Sequence, residues 1–128
     1  MRKLIVMVSL VGLLAAMLSA CNSKPGEVKA VEDYLNALVS ADAAALSSVS
    51  CASWEEQALL ELDSFQAVAP QLQDAVCTSA GADGTTMLVA CTGKIVMTYN
   101  GENQELDLAN RTYQVVQENG TWLVCGVR

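Results

Sequence analysis

The 128-residue chain contains no histidine. That absence removes the Ser-His-Asp and Cys-His catalytic arrangements, the usual general base and the commonest metal ligand. Basic residues are scarce as well, with seven Lys and Arg against fourteen Asp and Glu and a net charge of −7. Nucleic acid is excluded as a partner, because binding it needs a basic face to neutralise phosphates. No glycine-rich phosphate cradle precedes a helix, and no two cysteines stand at CxxC spacing, so nucleotide-binding and four-thiolate zinc readings fall too. The sequence implies no cofactor and no metal. There are only two prolines, Pro25 and Pro70, and 128 residues allow one small domain.

Apolar residues, by contrast, make up 52% of the chain, and the mean hydropathy is +0.32. The excess is concentrated at one end. Arg2 and Lys3 precede an uncharged run from Leu4 to Met17, shorter than the roughly 20 residues a spanning helix needs, which is the pattern of an export signal. Leu18-Ser19-Ala20-Cys21 follows, and it resembles the lipobox of bacterial lipoproteins. The resemblance implies a signal peptide over 1–20, cut before a Cys21 that carries diacylglyceryl and palmitate-type chains. The competing reading is an ordinary secretory signal with a chance cysteine. On the lipoprotein reading, residues 21–26 are the lipidated cysteine and a short tether, of about 10 to 14 Å from Cys21 to Pro25. The domain over 27–128 would sit in the cell envelope, on the extracytoplasmic side of a bacterial membrane. Arg2 and Lys3 are both basic, so the remainder is still more acidic than the whole, and the membrane partnership would rest on the acyl chains.

Downstream, Val28, Val31, Leu35 and Leu38 recur at spacings of three and four, with Tyr34 beside them, and predict a helix over 25–39. Asp42 caps a short second helix through Leu46 to Val49. Ser53 and Glu56 form a capping-box pattern ahead of Trp54, Ala58, Leu62 and Phe65, predicting a third helix over 54–68 that Pro70 ends. Glu55 and Glu56 suit its positive end better than a catalytic pair. From Leu72 the period becomes two, and Gly81-Ala82-Asp83-Gly84, Asn100-Gly101 and Glu118-Asn119-Gly120 divide the rest into four strands. Met87, Val89, Cys91, Ile95 and Met97 share one face of the second strand. In the third, Leu106 and Leu108 stand on even positions but Tyr113 and Val115 on odd ones, so a bulge is expected near Ala109 to Arg111. A three-residue last turn would put Tyr113 and Val115 on one face with Leu123, Cys125 and Val127.

The expected fold is α+β, with N-terminal helices packed on a curved four-stranded antiparallel meander in two layers, like a cone. This element order resembles the nuclear transport factor 2-like, or cystatin-like, superfamily over about 27–127. Here only Ser50 to Ser53 stands where fuller members carry a short hairpin between the second and third helices.

With Cys21 assigned to lipid, Cys51, Cys77, Cys91 and Cys125 allow three pairings. Strands in a meander lie ~4.8 Å apart, so Cys91 and Cys125, two strands apart, exceed the ~7 Å limit for a disulfide, and Cys77 and Cys125 exceed it further. Cys77 with Cys91 and Cys51 with Cys125 remain.

The expected function is therefore a non-enzymatic binding or accessory module for an unidentified small molecule or envelope protein. A pocket would draw on Tyr34, Trp54, Phe65, Met97, Tyr99, Arg111 and Tyr113, with Met87 beside them, although such residues at these spacings also suit a plain core. Arg111 has two readings: a surface ion pair with Glu102, Glu105 or Asp107, which is favoured, or a turn inward to meet an anionic group. The alternative function is an isomerase or cyclase of the same fold. The resemblance implies a tyrosine oxyanion donor, for which Tyr34 would stand, and a carboxylate base, for which Asp74 and Asp107 are the strand-borne candidates.

Overall fold

The computed structural model describes residues 23–128, so the lipobox and its cysteine lie outside the described residues. Helix α1, Gly26–Val39, starts where Pro25 presets the backbone, and Lys29 N–H donates to the Pro25 carbonyl at 3.0 Å. Its buried stripe is Val28, Val31, Tyr34, Leu35 and Leu38, the three-and-four spacing read from the sequence. Asp42 accepts from the Ala45 amide at 3.0 Å and caps α2, Ala43–Ser48, an interaction worth about 1 kcal/mol.

Helix α3, Ala52–Phe65, begins earlier than the Ser53 capping box implied, and its cap residue is Cys51. The cause is tertiary. The Val124 amide donates to the Val49 carbonyl at 2.8 Å and the Cys51 amide to the Val124 carbonyl at 2.9 Å, so the α2–α3 turn is pinned to the last strand before Ser53 is reached. Ala69, at φ 44, and Pro70 separate α3 from the sheet.

The strands are β1 Gln71–Asp83, β2 Thr86–Tyr99, β3 Glu102–Asp107, β4 Thr112–Glu118 and β5 Thr121–Val127, all antiparallel to their sheet neighbours. The long β2 strand receives β1 along one edge. Along the other it receives β4 beside its first half, with Val89 opposite Tyr113, and β3 beside its second half, with Ile95 opposite Leu106. The expected third strand is thus one path broken by a 3-10 turn over Leu108–Asn110, where the parity of the apolar residues changes. Leu108 is fully buried in that turn, and Asp107 Oδ1 accepts from the Ala109 amide at 2.9 Å.

Two features of the sheet correct the sequence reading. The last hairpin has a two-residue loop: Glu118 pairs with Thr121, and Asn119 (φ 50) and Gly120 (φ 79) are both left-handed, as this tight turn requires. The parity that a three-residue loop was to supply comes from a bulge further back. Gln114 faces Gly126 while Val115 faces Val124, leaving Cys125 as the extra residue. Val124, and not Leu123 or Cys125, therefore joins Tyr113 and Val115 in the core. At the other edge β1 bulges at Asp74 (φ 53) opposite Gly93 (φ 86). A Cβ on Gly93 would lie 2.4 Å from the Asp74 carbonyl oxygen, so only glycine allows that approach.

The helices cover one face of this curved, open sheet, an α+β fold in two layers. Val31, Tyr34, Leu35 and Leu38 of α1 meet Val89, Ile95, Tyr113, Val115 and Val124 from the strands, with Leu46, Ala58 and Leu62 closing the core. Both expected disulfides form. Cys77 pairs with Cys91 directly across the first hairpin, and Cys51 with Cys125, Cα atoms 5.3 Å apart, clamps the α2–α3 turn to β5.

Candidate functional site

Helix α3 carries Trp54 and Glu61 on one face, seven residues apart, and turns both toward Tyr34 of α1. From the sheet, Arg111 follows the 3-10 turn, its amide donating to the Leu108 carbonyl at 3.1 Å, and Tyr113 lies two residues on and hence on the same face. These five side chains form one chain of contacts. The Trp54 indole N–H donates to the Tyr34 hydroxyl at 3.1 Å, and that hydroxyl donates to Glu61 Oε2 at 3.1 Å. Arg111 Nη1 stands 2.6 Å from the other carboxylate oxygen, Oε1. The guanidinium carbon lies 5.5 Å from the centre of the Tyr113 ring, which meets the Tyr34 ring edge-on at 6.1 Å.

A cleft of about 440 Å³ opens beside this network, lined by Trp54, Gln57, Leu60, Glu61 and Ser64 of α3 with Arg111 and Val127 from the sheet. Its volume falls in the range of small-molecule sites. The Glu61 and Arg111 side chains are only 15% and 17% exposed.

The charges in the network offset one another. Burial, reinforced by the Glu61 charge, holds the Tyr34 hydroxyl well above the usual tyrosine range, and the Trp54 hydrogen bond only partly opposes this. Burial likewise pushes Tyr113 up to about 12, against the pull of Arg111. For Arg111, burial works against the charge, but the hydrogen bond to Glu61 and the field of Tyr113 outweigh it, and the net direction is upward. Both tyrosines are thus neutral donors across the physiological range, and the carboxylate is held by a cation and a hydroxyl. The Tyr113 hydroxyl is buried with no hydrogen-bond partner among the described residues.

Of the seven pocket candidates read from the sequence, the structure brings Tyr34, Trp54, Arg111 and Tyr113 together and leaves three apart. Phe65 is buried in the core at the end of α3, and Met97 packs half-buried against that core. Tyr99 is 53% exposed at the end of β2, outside any pocket with the others. The expected surface pairing of Arg111 is also corrected. Glu105 meets Lys94 at 2.6 Å, Asp107 caps the 3-10 turn, and Arg111 turns inward to Glu61. The 3-10 turn between β3 and β4 directs Arg111 to the helix-covered face and away from the β3 carboxylates. Asp74 and Asp107 border a separate surface depression with Gly93 and Lys94, away from Tyr34.

Sequence reasoning missed Glu61. The signal was present: Trp54 and Glu61 stand two turns apart on the stripe that also holds Ala58, Leu62 and Phe65, so a carboxylate was due at the edge of the buried face. No group of acidic or cysteine side chains able to hold a metal occurs among the described residues.

No protein-family profile matches the chain, and no curated protein matches it. Among solved structures, Aln2 from a Streptomyces species is similar in fold, with a TM-score of 0.53 at 12% identity, over 80% of this chain and 89% of that one.

Proposed function

We propose that the protein is a membrane-anchored extracytoplasmic lipoprotein whose nuclear transport factor 2-like α+β domain is a non-enzymatic binding or accessory module. The observation that carries this reading is the pairing of the four cysteines after Cys21 among themselves. Two disulfides suit an oxidising compartment outside the cytoplasm and agree with the export signal and lipobox read from the sequence. Within the domain, both Glu61 carboxylate oxygens are already engaged, one by Arg111 and the other by Tyr34, an arrangement that suits a fixed binding wall. The element order and the cleft between α3 and the sheet support the superfamily assignment.

The test is fractionation with mass spectrometry. Wild-type protein should pellet with membranes and carry an acyl-glyceryl mass at Cys21, whereas Cys21→Ser should appear in the soluble extracytoplasmic fraction. Wild-type protein without an acyl mass, together with unchanged pelleting of Cys21→Ser, would refute the reading.

A further inference from the structure

We propose that the cleft beside the Arg111–Glu61 pair binds an uncharged small molecule with a carbonyl oxygen at one end and an apolar body at the other. The proposal rests on the reading of the domain as a binding module and names the ligand class of that site.

The first argument is the donor count. A guanidinium has five N–H donors in a fixed fork, and Arg111 directs one nitrogen, Nη1, at Glu61. Glu61 has its other oxygen on Tyr34, and no further side-chain acceptor for Arg111 occurs among the described residues. A side chain 17% exposed therefore lines a cleft of about 440 Å³ with donors to spare. A group that buried is stabilised by an acceptor brought to it, which is what a carbonyl oxygen supplies.

Charge selects the kind of acceptor. Glu61, 2.6 Å away, offsets the guanidinium, and the chain as a whole carries −7. An anion would gain little from an already paired cation and would be repelled by Glu61 and by the domain, whereas a neutral carbonyl accepts the hydrogen bonds without that repulsion. The rest of the lining suits an apolar body: Trp54, Leu60 and Val127 give a wall of aromatic and aliphatic surface, while the Gln57 and Ser64 side chains can each take a second polar group. Leu60 is 56% exposed at the cleft, an apolar side chain in water that such a body would cover.

The experiment titrates full-length, detergent-solubilised protein, 15N-labelled in tryptophan, with cyclohexanone and separately with cyclohexanecarboxylate. There are two tryptophans. The Trp54 indole borders the cleft, and Trp122 packs over Gly26 at the start of α1, so its indole is an internal control. Cyclohexanone should move the Trp54 indole resonance saturably and leave Trp122 in place, and the carboxylate should bind at least tenfold more weakly. Arg111→Lys, which keeps the charge but loses the fork, should weaken cyclohexanone binding at least fivefold. Leu60→Glu, at an exposed position that leaves the fold intact, should do the same. No saturable movement of Trp54, equal or tighter binding of the carboxylate, or unchanged affinity in both variants overturns the proposal. Deuterium exchange at the α-carbon of bound cyclohexanone, measured in the same samples, would instead overturn the non-enzymatic reading while leaving the site standing.

Discussion

Arg111 Nη1 lies 2.6 Å from Oε1 of Glu61, and the pair joins the residue just before β4 to the second half of α3 beneath a shell that leaves each side chain less than one-fifth exposed. A pair this sheltered behaves differently from the lysine pairs on the surface, such as Lys94 with Glu105, where side-chain entropy and screening cancel most of the attraction. The first consequence concerns stability. Arg111→Ala leaves Glu61 charged, partly buried and held only by Tyr34, and should cost about 2 kcal/mol, more than the ~1 kcal/mol ceiling of a surface pair. The double variant Glu61→Gln/Arg111→Met removes both charges and should cost less than Arg111→Ala alone. Urea melts of the three proteins check this, and equal melts for wild type and Arg111→Ala would contradict it.

The two buried tyrosines should respond in opposite directions to loss of the hydroxyl. Tyr34→Phe removes a donor from Glu61 and an acceptor from the Trp54 indole, costing about 1 to 2 kcal/mol. The Tyr113 hydroxyl has no partner among the described residues, so Tyr113→Phe removes an unsatisfied buried group and should be neutral or stabilising by up to about 1 kcal/mol. Thermal melts of the two variants side by side test the pair. A clear loss of stability in Tyr113→Phe would mean that the hydroxyl is engaged in solution.

Alkaline pH should unfold the domain by way of the same residues. Burial raises Tyr113 from 10.0 to about 12 and raises Tyr34 as well. The folded state therefore holds these protons at a pH where the unfolded chain releases them. The Tyr113 contribution is fully present below about pH 10 and declines as pH rises from there through about 12, because unfolding then releases protons, and the Tyr34 contribution declines in the same direction. Urea midpoints taken between pH 8 and 12 should fall most steeply above about pH 10, and Tyr113→Phe should flatten the fall. An identical slope in wild type and variant would count against the assignment.

The disulfides should contribute unequally. The 74-residue separation of Cys51 and Cys125 constrains the unfolded chain more than the 14-residue separation of Cys77 and Cys91, roughly 4.4 against 3 kcal/mol in the loop-entropy treatment. Paired Cys→Ala variants, compared by urea melts, should rank in that order. Loss of the Cys51 and Cys125 pair should also loosen the start of α3, visible as faster amide exchange in its first turn. Non-reducing peptide mapping that joined Cys91 to Cys125 would contradict the strand order.

Much of the fold was legible before any coordinate. The three-and-four spacing of Val28, Val31, Leu35 and Leu38 marked the buried face of α1, and Asp42 marked the start of α2, since both signals act over one or two turns of the same chain. Alternation through Val89, Cys91 and Ile95 gave the buried face of β2, and Asn100-Gly101 marked the turn to β3. The cysteine pairing followed from strand spacing once Cys21 was set aside for lipid. Even the break at Leu108–Asn110 was written as a change of parity.

Where the reading failed, the deciding partner was distant in sequence. Ser53 lost the capping position because Cys51 is held by Val124 and Cys125, a restraint that no local pattern contains. The two-residue turn at Asn119-Gly120 is a local preference, but the bulge at Cys125 that sends Val124 inward depends on how β5 lies against β4 and the α2–α3 turn. Arg111 carries no local mark of its partner. The sequence offered Glu102, Glu105 and Asp107 nearby, and the 3-10 turn aimed the side chain at Glu61 on another layer. Local sequence determined the elements, their buried faces and the cysteine pairs, because propensity, periodicity and chain entropy act along the chain. Tertiary structure alone decided which charges meet and where the cleft opens, because those depend on how layers distant in sequence are turned toward one another.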